Sequence, residues 1–319
     1  MIGYLVRRIA SLVPVWLGIS LFAFALANLA PGDPSELILG RQLDEPPTQE
    51  ELHEFRERHG LNDPFFVQYG RWVRRAATGD LGESFRSGEP VLGELAERVP
   101  ATLQIAVPAF LVSLGMALAV GVVSAVRRNS FTDHASRVGA LVGDSVPSFV
   151  LGYFLIIVLS VNLGLLPVAG RGTWAHLVLP SLTLGLATTA SLMRLTRSSL
   201  LDVLGEDYLR TARAMGLRER TVILRYALKN ALIPVVTLGA IFFGYFVTGA
   251  VIVEIVFAWP GVGKYIVDSI FDRDYAVIQG VVVFTGTVFV VINLLVDLLY
   301  VHLDPRVRLT KAAATSHAR

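Results

Sequence analysis

The sequence predicts an all-α membrane protein of about six transmembrane helices, with an external loop domain between the first and second. Three observations predict it. Apolar residues make up 53% of the 319 positions and charged residues 17%, whereas a typical soluble domain is roughly a quarter charged. The apolar residues are also clustered: several stretches run about 20 residues with few or no charges, enough helix to cross the roughly 30 Å hydrocarbon layer of a bilayer. Finally, Lys and Arg are concentrated in alternate short loops, as they are when cytoplasmic loops retain positive charge. A soluble core of this size could bury one such helix, not five or six.

Span one runs from Ile9 to Ala30 behind Arg7 and Arg8. A signal peptide is the alternative, because Ala25-Leu26-Ala27 resembles a cleavage site, but the apolar run exceeds the ~7–15 residues of a signal core. Span two is Leu103–Val126. Span three lies within Val138–Leu166 and contains Pro147. Span four is Leu177–Met193, with Pro180 near its start. Span five runs from Ile233 to Ile255 and span six from Val277 to Tyr300. Proline inside a span is tolerated where neighbouring helices satisfy the freed backbone groups. Gly239 with Gly244, and Gly115 with Gly121, suit close helix packing.

Charge counting orients these spans. With the N-terminus in the cytoplasm, the segment between spans two and three places Arg127, Arg128 and Arg137 there. The segment between four and five adds Arg194, Arg197, Arg210, Arg213, Arg218, Arg220, Arg225 and Lys229, and the tail adds Arg306, Arg308, Lys311 and Arg319. The short external loops hold only Arg171, Lys264 and Arg273. Both termini are therefore expected in the cytoplasm. The chain divides into residues 1–30 (tip and first span), 31–101 (external loop domain), 102–303 (a five-span core that includes the cytoplasmic segment 202–234) and 304–319 (cytoplasmic tail).

The external segment is acidic, with fourteen Asp and Glu against eight Arg. Glu50–His59 reads as a short amphipathic helix with Leu52 and Phe55 on one side. Phe65, Phe66, Tyr69 and Trp72 supply an apolar cluster. Together they suggest a small folded cap over the external mouth.

Several chemistries are excluded. Without cysteine there are no disulfides, thiol catalysis or Cys-ligated zinc. Gly261-Val262-Gly263-Lys264 lacks the spacing and hydroxyl of a P-loop, so the chain is not expected to hydrolyse ATP itself. No paired Asp, or Ser with His, lies within the spans to suggest an intramembrane enzyme. The six histidines form no metal set: His53 and His59 would face different directions on one helix. No catalytic residue, metal site, cofactor or nucleic-acid partner is expected.

The residues that carry function lie between Asp202 and Pro234. Glu206–Met215 and Arg218–Lys229 form two amphipathic halves, acidic at the start of the first and basic at the end of the second, as helix dipoles favour. Gly216 suits the helix end between them, and Pro234 marks the start of span five. Leu217, Val222, Ile223 and Tyr226 form an apolar stripe at helical spacing. A solvated loop that only sets topology needs no such stripe; it must bury against the protein's own spans or against a partner.

Within the membrane, Asp297 near the cytoplasmic end of span six costs roughly 2.5–3.5 kcal/mol at a bilayer centre, and serves structural pairing or transport. Asp144, beside Pro147, lies at the start of span three or lines a pathway. Asn293 suits an interhelical hydrogen bond. Glu254–Gly263, with Trp259 and Pro260, reads either as an interfacial aromatic anchor with a tight turn or as a short re-entrant helix near an external gate.

The segment DYLRTARAMGL followed by ALKNALIPVVT resembles the cytoplasmic loop of bacterial ABC importer permeases, in the version of the dipeptide, oligopeptide and nickel family. The likeness extends over nearly the whole chain: YLVRRIASLVPV, LAPGDP, GLNDPFFVQYGRWV, GDLGESF, ERVPATLQIA, SVPSF, LLPVAG, VEIVFAWPGVGKYIVDSIFDRDYAVIQG and NLLVDLLYVHLDPRVR. Glu206-Asp207-Tyr208 replaces the Glu-Ala-Ala with which that loop commonly begins. The resemblance implies a type I importer permease fold in a bacterial inner membrane, as the first permease of a heterodimer. It implies two ATPase subunits and an extracytoplasmic binding protein as partners. Glu206, Asp207, Tyr208, Arg210, Thr211, Ala212, Arg213, Ala214, Gly216 and Leu217 would then couple to the ATPase, and the solute would be a peptide or, as the alternative, nickel or a nickel chelate. A membrane scaffold or receptor would bind a partner through the same loop and move nothing.

Overall fold

The computed structural model describes residues 2–29, 35–36, 39–40, 46–248 and 250–303, and leaves out the side chains of 2–9, 11, 59 and 297–303. Among the described residues five helices are long and apolar enough to cross a membrane, and a sixth candidate is a pair of helices joined by a sharp bend. The chain divides into two compact units, Met1–Pro100 with Gly261–Val290, and Ala101–Pro260 with Val291–Arg319.

In the first unit α1 (Ile2–Leu29) packs on α3 (Phe65–Ala77). Phe24 meets Phe65, Tyr69 and Trp72 at ring separations of 5.3, 5.6 and 5.9 Å. Phe66, expected in this cluster, is 77% exposed, because the helical turn that buries Phe65, Tyr69 and Trp72 points its neighbour outward. Between them α2 (Gln49–His59) carries a capping box of Thr48 and Glu51, which holds the Glu51 carboxyl below its usual range through hydrogen bonds from Thr48. A second core joins Leu81, Val91, Leu95, Val262, Tyr265, Val277 and Val281. It draws on α4 (Val91–Val126), α12 (Val262–Phe271) and α13 (Tyr275–Leu303). The loop before α4 is tied to the start of α13: buried Asp274 accepts from Ser84 Oγ at 2.6 Å and from Arg86 N at 3.2 Å, and Val277 N donates to it at 3.3 Å.

In the second unit α4 continues beside α7 (Ala175–Leu204). Two glycines allow the contact. A Cβ on Gly185 would stand 2.6 Å from the Ala109 carbonyl oxygen, and one on Gly121 2.9 Å from that of Met193. Gly121 therefore serves as its spacing predicts, whereas Gly115 faces open space. Helix α7 extends past Met193 to Leu204, longer than the expected span, because the polar turns beyond Met193 contain no helix breaker before Gly205.

Span three is the clearest correction. It is two helices, α5 (Phe131–Ser145) and α6 (Ser148–Leu155), the latter continuing as a π-helical segment Ile156–Asn162. They bend by 102° at the break. Proline disfavours helical backbone in the residue before it, and Val146 is accordingly extended at φ −91°, ψ 118°. Pro147 thus caps α6 and does not sit inside a continuous span.

Pro234 corrects the other boundary. The second amphipathic half does not stop at Lys229: α9 (Glu219–Thr221), a π-helical segment Val222–Ala227 and α10 (Leu228–Val247) are continuous, and Pro234 lies inside α10. A short α11 (Val251–Val256) follows.

Candidate functional site

The segment between α7 and α10 is built from inside outward. After Gly205, Glu206 takes extended backbone and α8 (Asp207–Ala214) begins. Its inner face buries Leu209, 0% exposed, and Ala212 in a cluster with Ala125, Leu200, Val222, Ala227 and Ala231. Burial of a leucine contributes about 1.5–3 kcal/mol, so one turn of α8 is anchored to the protein's own helices. Asp207, Arg210, Thr211, Ala214 and Met215 remain on the outside, Met215 being 76% exposed.

The end of α8 is a Schellman turn. Gly216 N donates to Arg213 O at 2.9 Å and Leu217 N to Ala212 O at 3.3 Å, with Gly216 at φ +79° and Leu217 packed against the cluster that holds Ala212. Arg213 grips Glu219 across this turn, Nε to Oε2 at 3.1 Å and Nη2 to Oε1 at 3.0 Å. That carboxylate raises the guanidinium pKa above its usual value. Tyr208 reaches from α8 to α10: its hydroxyl accepts from Asn230 Nδ2 at 2.8 Å and donates to the Tyr226 carbonyl at 3.4 Å. Arg210 pairs with Asp207 at 3.2 Å on the open face. Val222 and Ile223 of the expected stripe are buried on the protein itself, while Tyr226 is 41% exposed; the π-helical turn around them departs from the α period on which that stripe was read. The arrangement is a rigid short helix with one face fastened down and the other open.

The gate candidates fall into two places. Glu254 and Trp259 share a buried clamp within the second unit. Glu254, 0% exposed, accepts from Thr102 Oγ1 at 2.7 Å. Trp259, 1% exposed, donates from Nε1 to the Ala101 carbonyl at 2.8 Å and from its backbone N–H to Glu254 O at 2.7 Å. Arg171 stands 5.8 Å over its ring and donates to Gln104 Oε1 at 3.2 Å. Gly170 N donates to Phe257 O at 2.9 Å. A tryptophan so enclosed is not a membrane-surface anchor. Pro260 follows it, exposed.

Asp144 and Pro147 stand together at the elbow between α5 and α6, where Asp144 is ion-paired with Arg194 of α7. Asn293 is exposed on α13, and the Asp297 side chain lies outside the described residues.

Sequence reasoning missed the strongest polar contact of this unit. Asp133, 0% exposed, accepts from Arg197 Nε at 2.7 Å and Nη2 at 2.8 Å, from Ser124 Oγ at 2.6 Å and from Asn129 N at 2.9 Å. Arg194 and Arg197 were visible only as topology charges. Residues 64 positions apart on two different helices leave no spacing signal for this contact.

Comparison with known proteins supplies the context. Residues 117–309 match the family described as the binding-protein-dependent transport system inner membrane component, and residues 1–106 match its N-terminal component. The glutathione transport system permease protein GsiC of Shigella flexneri serotype 5b is 41% identical over 308 residues, 97% of this chain and 99% of that protein. GsiC of Escherichia coli strain K12 gives the same identity and coverage. Among solved structures, the inward-facing MetNI methionine ABC transporter matches with a TM-score of 0.53 at 20% identity, covering 66% of this chain and 96% of its own.

Proposed function

The chain belongs to the inner-membrane components of binding-protein-dependent transport systems, and from that premise we propose that it carries di- or oligopeptides and couples their passage to ATP through α8. As a member it is a multi-pass permease subunit of an ABC importer, not an enzyme. The observation that carries the peptide reading is 41% identity across 97% of the chain with permeases of a glutathione transport system; glutathione is itself a small peptide.

The coupling reading rests on the two faces of α8. Its inner face is fixed by Leu209 and Ala212, so a push on the exposed outer face is transmitted to α7 and α10 and not absorbed by loop motion. An ATPase cleft would receive Asp207, Arg210, Thr211, Ala214 and Met215. The partners are a second, homologous permease completing the pathway, two ATPase subunits and an extracytoplasmic binding protein, with both termini of this chain in the cytoplasm. Rigid-body motion would switch access, with Glu254–Trp259 and the Asp144–Pro147 elbow as gate elements.

The test is uptake by vesicles containing the assembled importer and its binding protein. A labelled tripeptide should accumulate with ATP, and deletion of Asp207–Leu217 should abolish both uptake and co-purification of the ATPase. Uptake that survives the deletion would refute the coupling role. Labelled nickel accumulating in place of peptide would favour the metal alternative.

A further inference from the structure

Helix α5 packs obliquely on α7. Asp133 and Asp144 lie about 16 Å apart along α5 at ~1.5 Å per residue, yet their partners, Arg197 and Arg194, lie only about 5 Å apart along α7. Helix α5 therefore starts level with Arg197, and near its end Gly143 comes against Ala190, about 10 Å further along α7. The Arg194–Arg197 turn marks the bilayer edge. Helix α7 has 30 residues, hence a length of about 45 Å against a hydrocarbon layer of about 30 Å, and Arg194 directly follows the apolar run that ends at Met193.

A groove of about 620 Å³ lies between the two helices at this level. Its charges are unequal. Asp133 holds Arg197 and Asp144 holds Arg194, but Arg137, which also lines it, has no ion pair or hydrogen bond with any described residue. Beside Arg137 the wall is apolar and open: Val138 is 61% and Leu141 66% exposed. A soluble anion would satisfy the cation and leave this wall in water. A membrane lipid covers both, since its phosphate lies at the bilayer edge and its acyl chain next to it.

We propose that this groove holds the headgroup phosphate of an anionic phospholipid, with Arg137 as the cation and Val138 and Leu141 against the acyl chain. The experiment uses the assembled importer in vesicles doped with phosphatidylglycerol bearing a photoreactive acyl chain, with adducts mapped by mass spectrometry. Adducts are expected on Val138 and Leu141, lost about tenfold in Arg137→Glu and retained in Arg137→Lys, as charge reversal near an anionic surface requires. Arg137→Gln gives the same reading if Arg137→Glu does not assemble. Equal labelling by photoreactive phosphatidylcholine would overturn the proposal. So would labelling competed away by inorganic phosphate, which indicates a soluble anion, or a Leu141 photo-crosslink to the second permease in place of lipid.

Discussion

Arg197 holds Asp133 with two nitrogens, at 2.7 and 2.8 Å, and that carboxylate has no solvent-exposed surface. Removing the arginine strands a buried charge, which costs about 3–5 kcal/mol. Arg197→Met should therefore lower the thermal unfolding midpoint in detergent by many degrees. The double substitution Asp133→Leu with Arg197→Met should recover most of the loss. A double variant as unstable as the single one would show that Ser124 and Asn129 contribute more than the ion pair.

Gly216 and Gly185 differ in kind. Gly216 has open space around it but a φ of +79°, so Gly216→Val pays only for left-handed backbone, roughly 1–2 kcal/mol. Folding should persist while ATPase co-purification falls, as the Schellman turn is strained and populated less. Gly185→Ala instead meets the Ala109 carbonyl at 2.6 Å and should destabilise the unit by about 1–3 kcal/mol through overpacking, as read by the unfolding midpoint.

On α8, inner and outer faces should separate stability from coupling. Leu209→Ala removes a fully buried side chain and should cost about 2–5 kcal/mol. Arg210→Ala breaks an exposed pair worth about 0–1 kcal/mol and should leave the unfolding curve unchanged. Peptide-stimulated ATPase activity should fall in both.

Trp259→Phe keeps the ring contacts and removes the donor to the Ala101 carbonyl. The Ala101 carbonyl keeps its bond within α4, so loss of the indole donor should cost about 0.5–1.5 kcal/mol. Limited proteolysis should accelerate in step with the fall in melting temperature; a change in uptake without a change in proteolysis would separate a gating role from anchoring.

The spans were legible because length and apolarity follow directly from bilayer thickness. The helix before Gly216 was legible because Gly216 and the acidic residues at the helix start obey local helix-end rules; the second half was not, because it runs past Lys229 into α10 without a break. The elbow was not. A proline in an apolar run is read equally well as a tolerated kink or as a break, and only the extended backbone at Val146 decides between them. Trp259 was ambiguous for a related reason: an aromatic beside Pro-Gly suits a membrane surface, and its burial depends on Ala101, about 158 residues away in sequence. Asp133 and Arg197 were unreadable as a pair because the angle between α5 and α7 sets their meeting, and no spacing encodes that angle.

The tether at Asp274 has a consequence for synthesis. Ser84 and its carboxylate partner are separated by 190 positions, which a ribosome adding about 5–20 residues per second takes roughly 10–40 s to cover. Throughout that interval the Ser84 hydroxyl and the Arg86 amide lack the Asp274 carboxylate that both meet in the folded unit. The first unit begins at the start of the chain but is completed only after residue 274 emerges, so a nascent chain stalled before that residue would leave this loop open to protease.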